Sequence, residues 1–515
     1  MNQTRLLTTL ALTGSLALSH AQSLVSTNGT PPPALSQFEQ TVNDIKNPVS
    51  WFSWGADLRL RNEYFNNAIS LGVPAGGFGF GNVHENDYLR FRGRVWFSLM
   101  PTNDLTLNVR LAAEPREFIK TSSIDTFYQE EGPQWRYGIF DNLNVQWKTP
   151  LNLPATLTVG RQDIFLGDGF LVGDGTPEDG SFTTFLDSVR LTYKLDDIHT
   201  TIDAIGLLQD ARPDGWLPTL GPSTATGDHA QPLLLTDQNE KGAILWVANK
   251  SLPYANLDGY FMYKHDDRLN DPVTFGDNAD IYTVGGRLSG LVQQRWKYSV
   301  EGAYQFGKKQ DPDLNQDGAN PVLAPSAQTT GFRGLDAFAI NSKLTYQFKD
   351  PLNNQLSLSC EFLSGDNPNT SRDGMFDVLW GRWPSWSEMY NIYGYVQETR
   401  VGQTANLIRF GPSWSLNPMP KMEFDMSYYL LLADQDVPTR DLNNILVEQV
   451  PGVTHATDPF TGTGDDRGQY LQSILKYKFN EHVSAHLWAE LLFPGDFYVN
   501  HELMSFYRAE IMFTF

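Results

Sequence analysis

Hydrophobic and polar residues alternate with a period of two along most of the chain. Leu89, Phe91, Gly93, Val95, Phe97 and Leu99 share one face, and Arg90, Arg92, Arg94, Trp96 and Ser98 share the other. Pro101-Thr102-Asn103-Asp104 makes a tight turn. Beyond it, Leu105, Leu107, Val109, Leu111 and Ala113 alternate with Thr106, Asn108, Arg110, Ala112 and Glu114. This pattern predicts β-strands with one apolar face. Runs of about ten residues or more are long enough for a tilted strand to cross a bilayer. Three arginines in succession on the polar face suit a wet lumen rather than a packed core. The pattern recurs eighteen times. Strands are predicted to begin near Trp54, Asn86, Asp104, Gly138, Ala155, Thr184, Ile198, Glu240, Tyr254, Asp280, Arg295, Leu335, Asn354, Thr404, Pro420, Arg467, His482 and Met504.

The gaps fall into two sets. Short turns sit at 101–103, 149–154, 195–197, 251–253, 292–294, 350–353, 417–419 and 480–481. Long, acidic, Gly-rich loops alternate with them, as at 209–239, 308–334, 365–403 and 433–466. Short periplasmic turns and long outer loops are the signature of a bacterial outer-membrane barrel. An even strand number places both termini in the periplasm, and this parity assigns Trp386 to Val396 to the 365–403 loop rather than to a further strand. At the C-terminus Tyr507, Ala509, Ile511, Phe513 and Phe515 alternate with Arg508, Glu510, Met512 and Thr514. A last strand ending on Phe resembles the recognition signal of the outer-membrane barrel-assembly machinery. The expected fold is all-β: a transmembrane outer-membrane β-barrel of about 18 antiparallel strands. A secreted propeller would need a 40–50-residue internal repeat, and the sequence has none.

Residues 1–21 read as a secretory signal peptide. Arg5 supplies the positive start, Leu6 to Leu18 an apolar stretch too short to span a membrane, and Ser19-His20-Ala21 a small-x-small cleavage site. Residues 22–50 form a periplasmic lead with a short helix expected over 36–46, and 51–515 form the barrel. The formal net charge of −21 and pI near 4.8 speak against a nucleic-acid partner. One cysteine, Cys360, excludes an intrachain disulfide framework, a cysteine-based zinc cluster and a CxxC pair. By parity it falls on the barrel wall and behaves as a small apolar residue.

Interior residues decide what a barrel admits. The inward set contains Arg59, Arg61, Arg90, Arg92, Arg94, Arg110, Arg190, Lys194, Arg287, Lys297, Lys343, Arg409, Lys476, Lys478 and Arg508. Its acids are Asp57, Glu63, Glu114, Asp203, Glu301, Glu361, Glu423, Asp425, Glu490 and Glu510. An acidic protein thus has a balanced or basic wall, with its excess negative charge in loops. Arg59, Arg61, Arg90, Arg92, Arg94 and Arg110 form one patch on the first three strands. Guanidinium forks hold carboxylates and phosphates bidentately, so the patch, continued by Arg190, Arg287 and Arg409, is read as an anion path. The alternative is that these arginines pair with Asp57, Glu63 and Glu114 and brace the wall.

Several segments resemble the alginate export family of outer-membrane barrels. They are Arg90-Phe91-Arg92-Gly93-Arg94, Gly160-Arg161-Gln162-Asp163-Ile164-Phe165-Leu166-Gly167-Asp168-Gly169, Phe185-Leu186-Asp187-Ser188-Val189-Arg190-Leu191, and Leu363-Ser364-Gly365-Asp366-Asn367-Pro368 leading to Leu379-Trp380-Gly381-Arg382-Trp383-Pro384-Ser385-Trp386-Ser387-Glu388. The resemblance spans roughly 51–515. It implies an 18-stranded barrel with an arginine-lined constriction that passes an anionic polysaccharide, and it leans toward a monomer. Aromatic faces stack on sugar rings and arginines hold their carboxylates. Trp380, Arg382, Trp383 and Trp386 offer both in one loop, unless they serve as a folded loop or an aromatic girdle.

Weaker signals complete the reading. Asp313, Asn315 and Asp317, followed by Gly318, copy the first half of a calcium loop. Position twelve is Ala324, so a helix–loop–helix site is excluded, while a loop calcium ion remains a candidate. Otherwise no cofactor is expected. A barrel hydrolase would need His beside Ser or Asp. His84, His265, His482, His486 and His501 lie in no serine-nucleophile motif, so catalysis is not expected. The leading expectation is a channel for an anionic polysaccharide or oligosaccharide, a uronate such as alginate. It would sit among outer-membrane lipid and lipopolysaccharide, with a periplasmic export partner as a candidate. The alternatives are an uptake porin for small organic anions and, from another class, a barrel-borne hydrolase.

Overall fold

A computed structural model describes residues 36–67, 85–120, 132–134, 138–173, 185–212, 216–220, 236, 238–268, 278–310, 332–367, 370–381, 386–389, 405–436, 461, 463–498 and 501–515. The chain divides into two units, Met1–Pro48 and Val49–Phe515. In the first, α1 (Gln37–Lys46) is closed by a capping box in which Ser36 and Glu39 satisfy each other's backbone N–H. No helix among the described residues is long and apolar enough to cross a membrane.

The second unit is a closed antiparallel barrel of eighteen wall strands. They are β1 (Phe52–Asn66), β2 (Glu85–Leu99), β3 (Leu105–Ala113), β4 (Ile139–Lys148), β5 (Ala155–Gln162), β6 (Leu186–Leu195), β7 (Thr200–Gln209), β8 (Gln238–Leu252) and β9 (Ala255–Arg268). The second half has β10 (Ala279–Val292), β11 (Trp296–Gln310), β12 (Phe332–Gln347), β13 (Gln355–Leu363), β14 (Leu407–Leu416), β15 (Met422–Leu432), β16 (Asp466–Lys478), β17 (Val483–Phe493) and β18 (Met504–Thr514). Each predicted strand start lies within three residues of an observed one. Each strand pairs with its successor, and β1 pairs with β18 from Asp57↔Thr514 to Asn66↔Ser505. Short pieces at Arg116–Lys120 and Gly132–Gln134 prolong β3 and β4 outward. Residues 386–389 are a loop turn rather than a strand, and 390–404 lie outside the described residues.

Short turns join the strands at the periplasmic end. Gln293 (φ 52°) and Gln294 (φ 58°) both adopt the left-handed region between β10 and β11. Such a two-residue turn matches the right-handed twist of a hairpin. The two faces of the wall invert a soluble protein's polarity. Leu58, Phe91, Val95, Val189, Leu245, Val300, Ile340 and Leu358 are exposed on the outside, while Arg59, Arg61, Arg92 and Glu63 are buried on the inside. Aromatic belts frame the apolar band. Trp54 and Phe515, Trp296 and Tyr346, and Tyr477 and Phe479 pack at the periplasmic rim; Tyr64 and Tyr507, and Tyr263 and Tyr282, pack at the outer rim. These are interface girdles.

Val300→Arg places a charge on the lipid face of β11, where Val300 is 46 % exposed. It is expected to lower barrel stability by about 2–4 kcal/mol, read from urea unfolding in lipid vesicles. Unchanged stability would mean this face does not meet hydrocarbon.

Candidate functional site

The inward face of β1, β2, β3 and β18 carries a dense charge network. Cross-strand register sets Arg59 opposite Arg92 and Arg61 opposite Arg90. Like charges directly opposite destabilise a sheet, so carboxylates must come between them. Arg59 donates to Glu114 at 2.6 Å. Arg61 meets Glu510 at 2.7 Å and Glu63 at 3.3 Å. Arg90 bridges Glu63 at 2.8 Å and Glu114 at 3.0 Å. Arg94 donates to Asp57 at 2.8 Å, and Arg92 lies 3.5 Å from the same carboxylate. Arg508 reaches Glu63 at 2.8 Å and Glu388 at 3.1 Å. Among the described residues of this network, the seven guanidiniums of Arg59, Arg61, Arg90, Arg92, Arg94, Arg116 and Arg508 meet the five carboxylates of Asp57, Glu63, Glu114, Glu510 and Glu388.

The other predicted path residues also face inward in ion pairs. Arg110 holds Asp141 at 2.8 Å and Asp163 at 2.9 Å. Arg190 holds Asp203 at 2.8 Å. Arg287 holds Asp168 at 2.6 Å and Asp258 at 2.9 Å. Arg409 holds Glu361 at 2.9 Å, with its guanidinium over the rings of Tyr429 and Trp386. The pairing that the sequence left as the alternative is therefore present throughout this set.

Two connecting segments turn into the barrel. The first, 163–173, follows β5. Asp163 is its first tie, and Asp168 at its tip accepts from Arg287 and from Ser299 on β11. Burial alone would push the Asp168 carboxyl up, but the bonds from Arg287 and Ser299 outweigh it and hold the group below its ordinary value of 3.8. Gly169 has φ 77°, and a Cβ there would stand 2.5 Å from the Phe165 ring, so only glycine fits this bend.

The second segment, 364–389 as far as it is described, follows β13. Arg333 on β12 grips Asp366 at 2.6 and 3.1 Å. Lys264 on β9 holds Asp377 at 3.2 Å, and the Gln305 amide on β11 clips the Asp377 backbone at 2.6 and 2.8 Å. Glu490 on β17 accepts from the Ser387 hydroxyl and from the N–H groups of Glu388 and Met389, at 2.8–2.9 Å. The two segments join each other. Trp380 donates its backbone N–H to the Leu171 carbonyl at 3.0 Å, and the Gly173 backbone N–H donates to the Trp380 carbonyl at 3.2 Å.

This arrangement corrects the sugar-stacking expectation for two residues. Trp380 is 2 % exposed and lies over Gly242, where a Cβ would meet its ring at 2.4 Å. Trp386 is 9 % exposed and packs edge-on against Tyr429 and Tyr470. Both rings anchor the segment to the wall, so their faces are taken. Arg382 and Trp383 lie outside the described residues, as do the calcium candidates Asp313, Asn315 and Asp317. His265 sits between Asp267 and Asp280 at 2.9 and 2.7 Å on the outward face. Composition and parity did not single out the ties Asp163, Asp168, Lys264, Gln305, Arg333, Asp366 and Asp377. Asp163, Asp168 and Asp366 nonetheless sit within the segments that carry the family resemblance.

A sequence profile described as "Alginate export" matches residues 50–509. Among solved structures, the barrel is similar to Pseudomonas aeruginosa OccK8 (OprE), with 12 % identity over 90 % of this chain and 98 % of that one, at a TM-score of 0.50. It is also similar to Acinetobacter baumannii OccAB1, with 11 % identity over 90 % and 96 % and a TM-score of 0.49. A third is Pseudomonas aeruginosa OccK2 (OpdF), solved in complex with glucuronate, with 10 % identity over 90 % and 97 % and a TM-score of 0.47. No curated protein matches the chain. OccK8 is an outer-membrane porin, and at 12 % identity the likeness to it speaks to the fold alone.

Glu63→Gln leaves Arg61, Arg90 and Arg508 short of a shared carboxylate. The expected loss is about 3–5 kcal/mol, the cost of breaking a buried pair from one side, seen as a lower urea midpoint in vesicles. An unshifted midpoint would show that these pairs do not brace the wall. Because the Asp168 carboxyl is depressed, its tie is complete above the ordinary value of 3.8 and is lost as pH falls through its folded value. Channel conductance should be flat from neutral pH down to about pH 4 and change below it. Asp168→Asn should show the acid behaviour already at neutral pH. A variant identical to wild type at every pH would sever Asp168 from the position of the segment.

Proposed function

The chain belongs to the alginate export family, and from that premise we propose that the cargo of this outer-membrane channel is an anionic polysaccharide or oligosaccharide, a uronate such as alginate. One observation carries the reading beyond the family's name: among the described residues of the network lining β1, β2, β3 and β18, guanidiniums outnumber carboxylates. A lumen of low-dielectric walls focuses such a field and raises the local concentration of anions. Beside its ion pairs runs an uncharged polar strip. Asn108 bonds both Ser98 and Asn144, and Asn144 bonds Asn142, a run of amides and hydroxyls suited to a hydroxylated, hydrated cargo. The channel performs no chemistry, and a periplasmic partner or a concentration gradient moves the cargo.

A second reading is an uptake porin for small organic anions. The two segments tied together inside the barrel favour it, since they narrow the way for any cargo. Both readings share the sign of the field and differ in the length of chain that passes.

Planar-bilayer recordings in a salt gradient test the sign. Anion selectivity is expected, weakening between about 0.1 M and about 1 M salt as the screening length falls from about 10 to about 3 Å. Added oligouronate should interrupt the current, and a neutral oligosaccharide of equal length should not. Cation selectivity, or equal block by both sugars, would remove the uronate reading.

A further inference from the structure

The lumen holds a second set of cations with a different status. Lys194 on β6, Lys297 on β11 and Lys343 on β12 lie on the inward parity of their strands. For Lys297, the neighbours Trp296 and Val300 are exposed outward, while Glu301 and Gln305 are buried inward. For Lys343, Ile340 and Leu344 face out, and Thr345 faces in to bond Ser357 at 2.8 Å. For Lys194, Val189 and Leu191 face out, while Arg190 faces in on Asp203. All three lysines are exposed, and none stands in any of the ion pairs that occupy the arginines.

Two of them form a patch. Ser299 on β11 is opposite Lys343, and Lys297 is opposite Thr345. Lys297 and Lys343 are thus diagonal neighbours, ~7–8 Å apart at the backbone, with the Ser299 hydroxyl beside them. The carboxylate on this patch, Asp168, is already taken by Arg287 and Ser299. The strand ends give the depth. Lys297 is the second residue of β11 after the periplasmic turn, and Lys343 lies near the periplasmic end of β12. The patch therefore sits on the periplasmic side of the inward segment, and Lys194 stands at the periplasmic edge of β6.

We propose that Lys297 and Lys343, with Lys194 as a second station at the periplasmic rim, form the carboxylate-binding site through which the channel engages its cargo. This rests on the uronate reading above. The physical contrast is exchangeability. An arginine locked to a buried carboxylate must break that pair before it can hold another anion, at a cost set by the charge left behind. An exposed ammonium gives up only water. It presents three rotatable donors as a point charge, so a passing carboxylate can bind and leave. Conduction needs that balance, with binding strong enough to admit and weak enough to release. The arginines then supply a standing field and a rigid wall, while the lysines make the contacts that turn over.

The test measures single-channel block by oligouronate added from the periplasmic face of the full-length barrel. Lys297→Gln/Lys343→Gln is compared with wild type and with Lys297→Arg/Lys343→Arg. Because both lysines are exposed and, among the described residues, stand in no ion pair within 4 Å, folding should survive, which heat-modifiable gel migration checks. The expected result is block weakened about tenfold or more in the glutamine variant, the scale of a charge-assisted hydrogen bond, with largely restored block in the arginine variant and anion selectivity shifted toward neutrality. Equal block in wild type and the glutamine variant overturns the lysine site and leaves the uronate reading standing. No block in wild type overturns the uronate reading and the site with it.

Discussion

Every backbone N–H and C=O that a chain carries through hydrocarbon must find a partner within the protein, because no water is there to supply one. A sheet meets that demand only when its first and last strands join. Here the joint is β1 with β18, ten residue pairs long, and it runs to the last residue. Phe515 and Ala56 exchange backbone hydrogen bonds at 2.8 and 3.2 Å, while the Phe515 ring packs on Trp54 at 5.0 Å. The rest follows from closure. Side chains must alternate between lipid and lumen, so a residue's parity alone decides whether it meets hydrocarbon or water. The chain is therefore apolar outside and charged inside.

Closure also crowds charge. Strands less than 5 Å apart bring Arg59 against Arg92 and Arg61 against Arg90, and such a stack holds only with acids set among the bases. Asp57 and Glu63 on β1, Glu510 on β18 and Glu114 just past the end of β3 do this. The same pairing that makes the patch buildable removes its freedom, since each guanidinium is committed. A wall cannot both neutralise its cations completely and use all of them as moving contacts. That division of labour separates the arginines from Lys194, Lys297 and Lys343, which stand where the wall is wetter and closer to the periplasm.

Strand content was legible from local pattern because parity is a property of neighbouring residues. All eighteen starts, the short turns and the inward set of charges could be read from alternation and gap length. The pairing of Arg90 with Glu63 and Glu114 was available as an alternative, but counting bases against acids could not choose it, because each pair joins residues from different strands at a particular register. The inward segments were less legible still. Lys264 meets Asp377 across 113 positions of sequence, and Glu490 meets Ser387 across 103. No periodicity reports a contact of that kind. Trp380 and Trp386 show the limit most clearly. A tryptophan that stacks on a sugar and one that seats a loop on a wall have the same letter, and burial alone separates them.

The family resemblance itself has a physical content that the structure makes plain. In the run from Gly160 to Gly169, Asp163 ties to Arg110, Asp168 to Arg287, and Gly169 allows the bend against Phe165. Arg161 faces outward and forks onto Asp187 at 2.8 and 3.0 Å, joining this segment to the Phe185–Leu191 segment. Asp366, in the Leu363–Pro368 stretch, is the carboxylate that Arg333 grips. Asp163, Asp168, Gly169 and Asp366, all within segments that resemble the family, are thus fasteners of the inward segments. Fasteners define a shape and leave open what passes through it. Cargo preference then falls to side chains on the free wall, where, among the described residues, Lys194, Lys297 and Lys343 stand outside the ion pairs that hold the arginines.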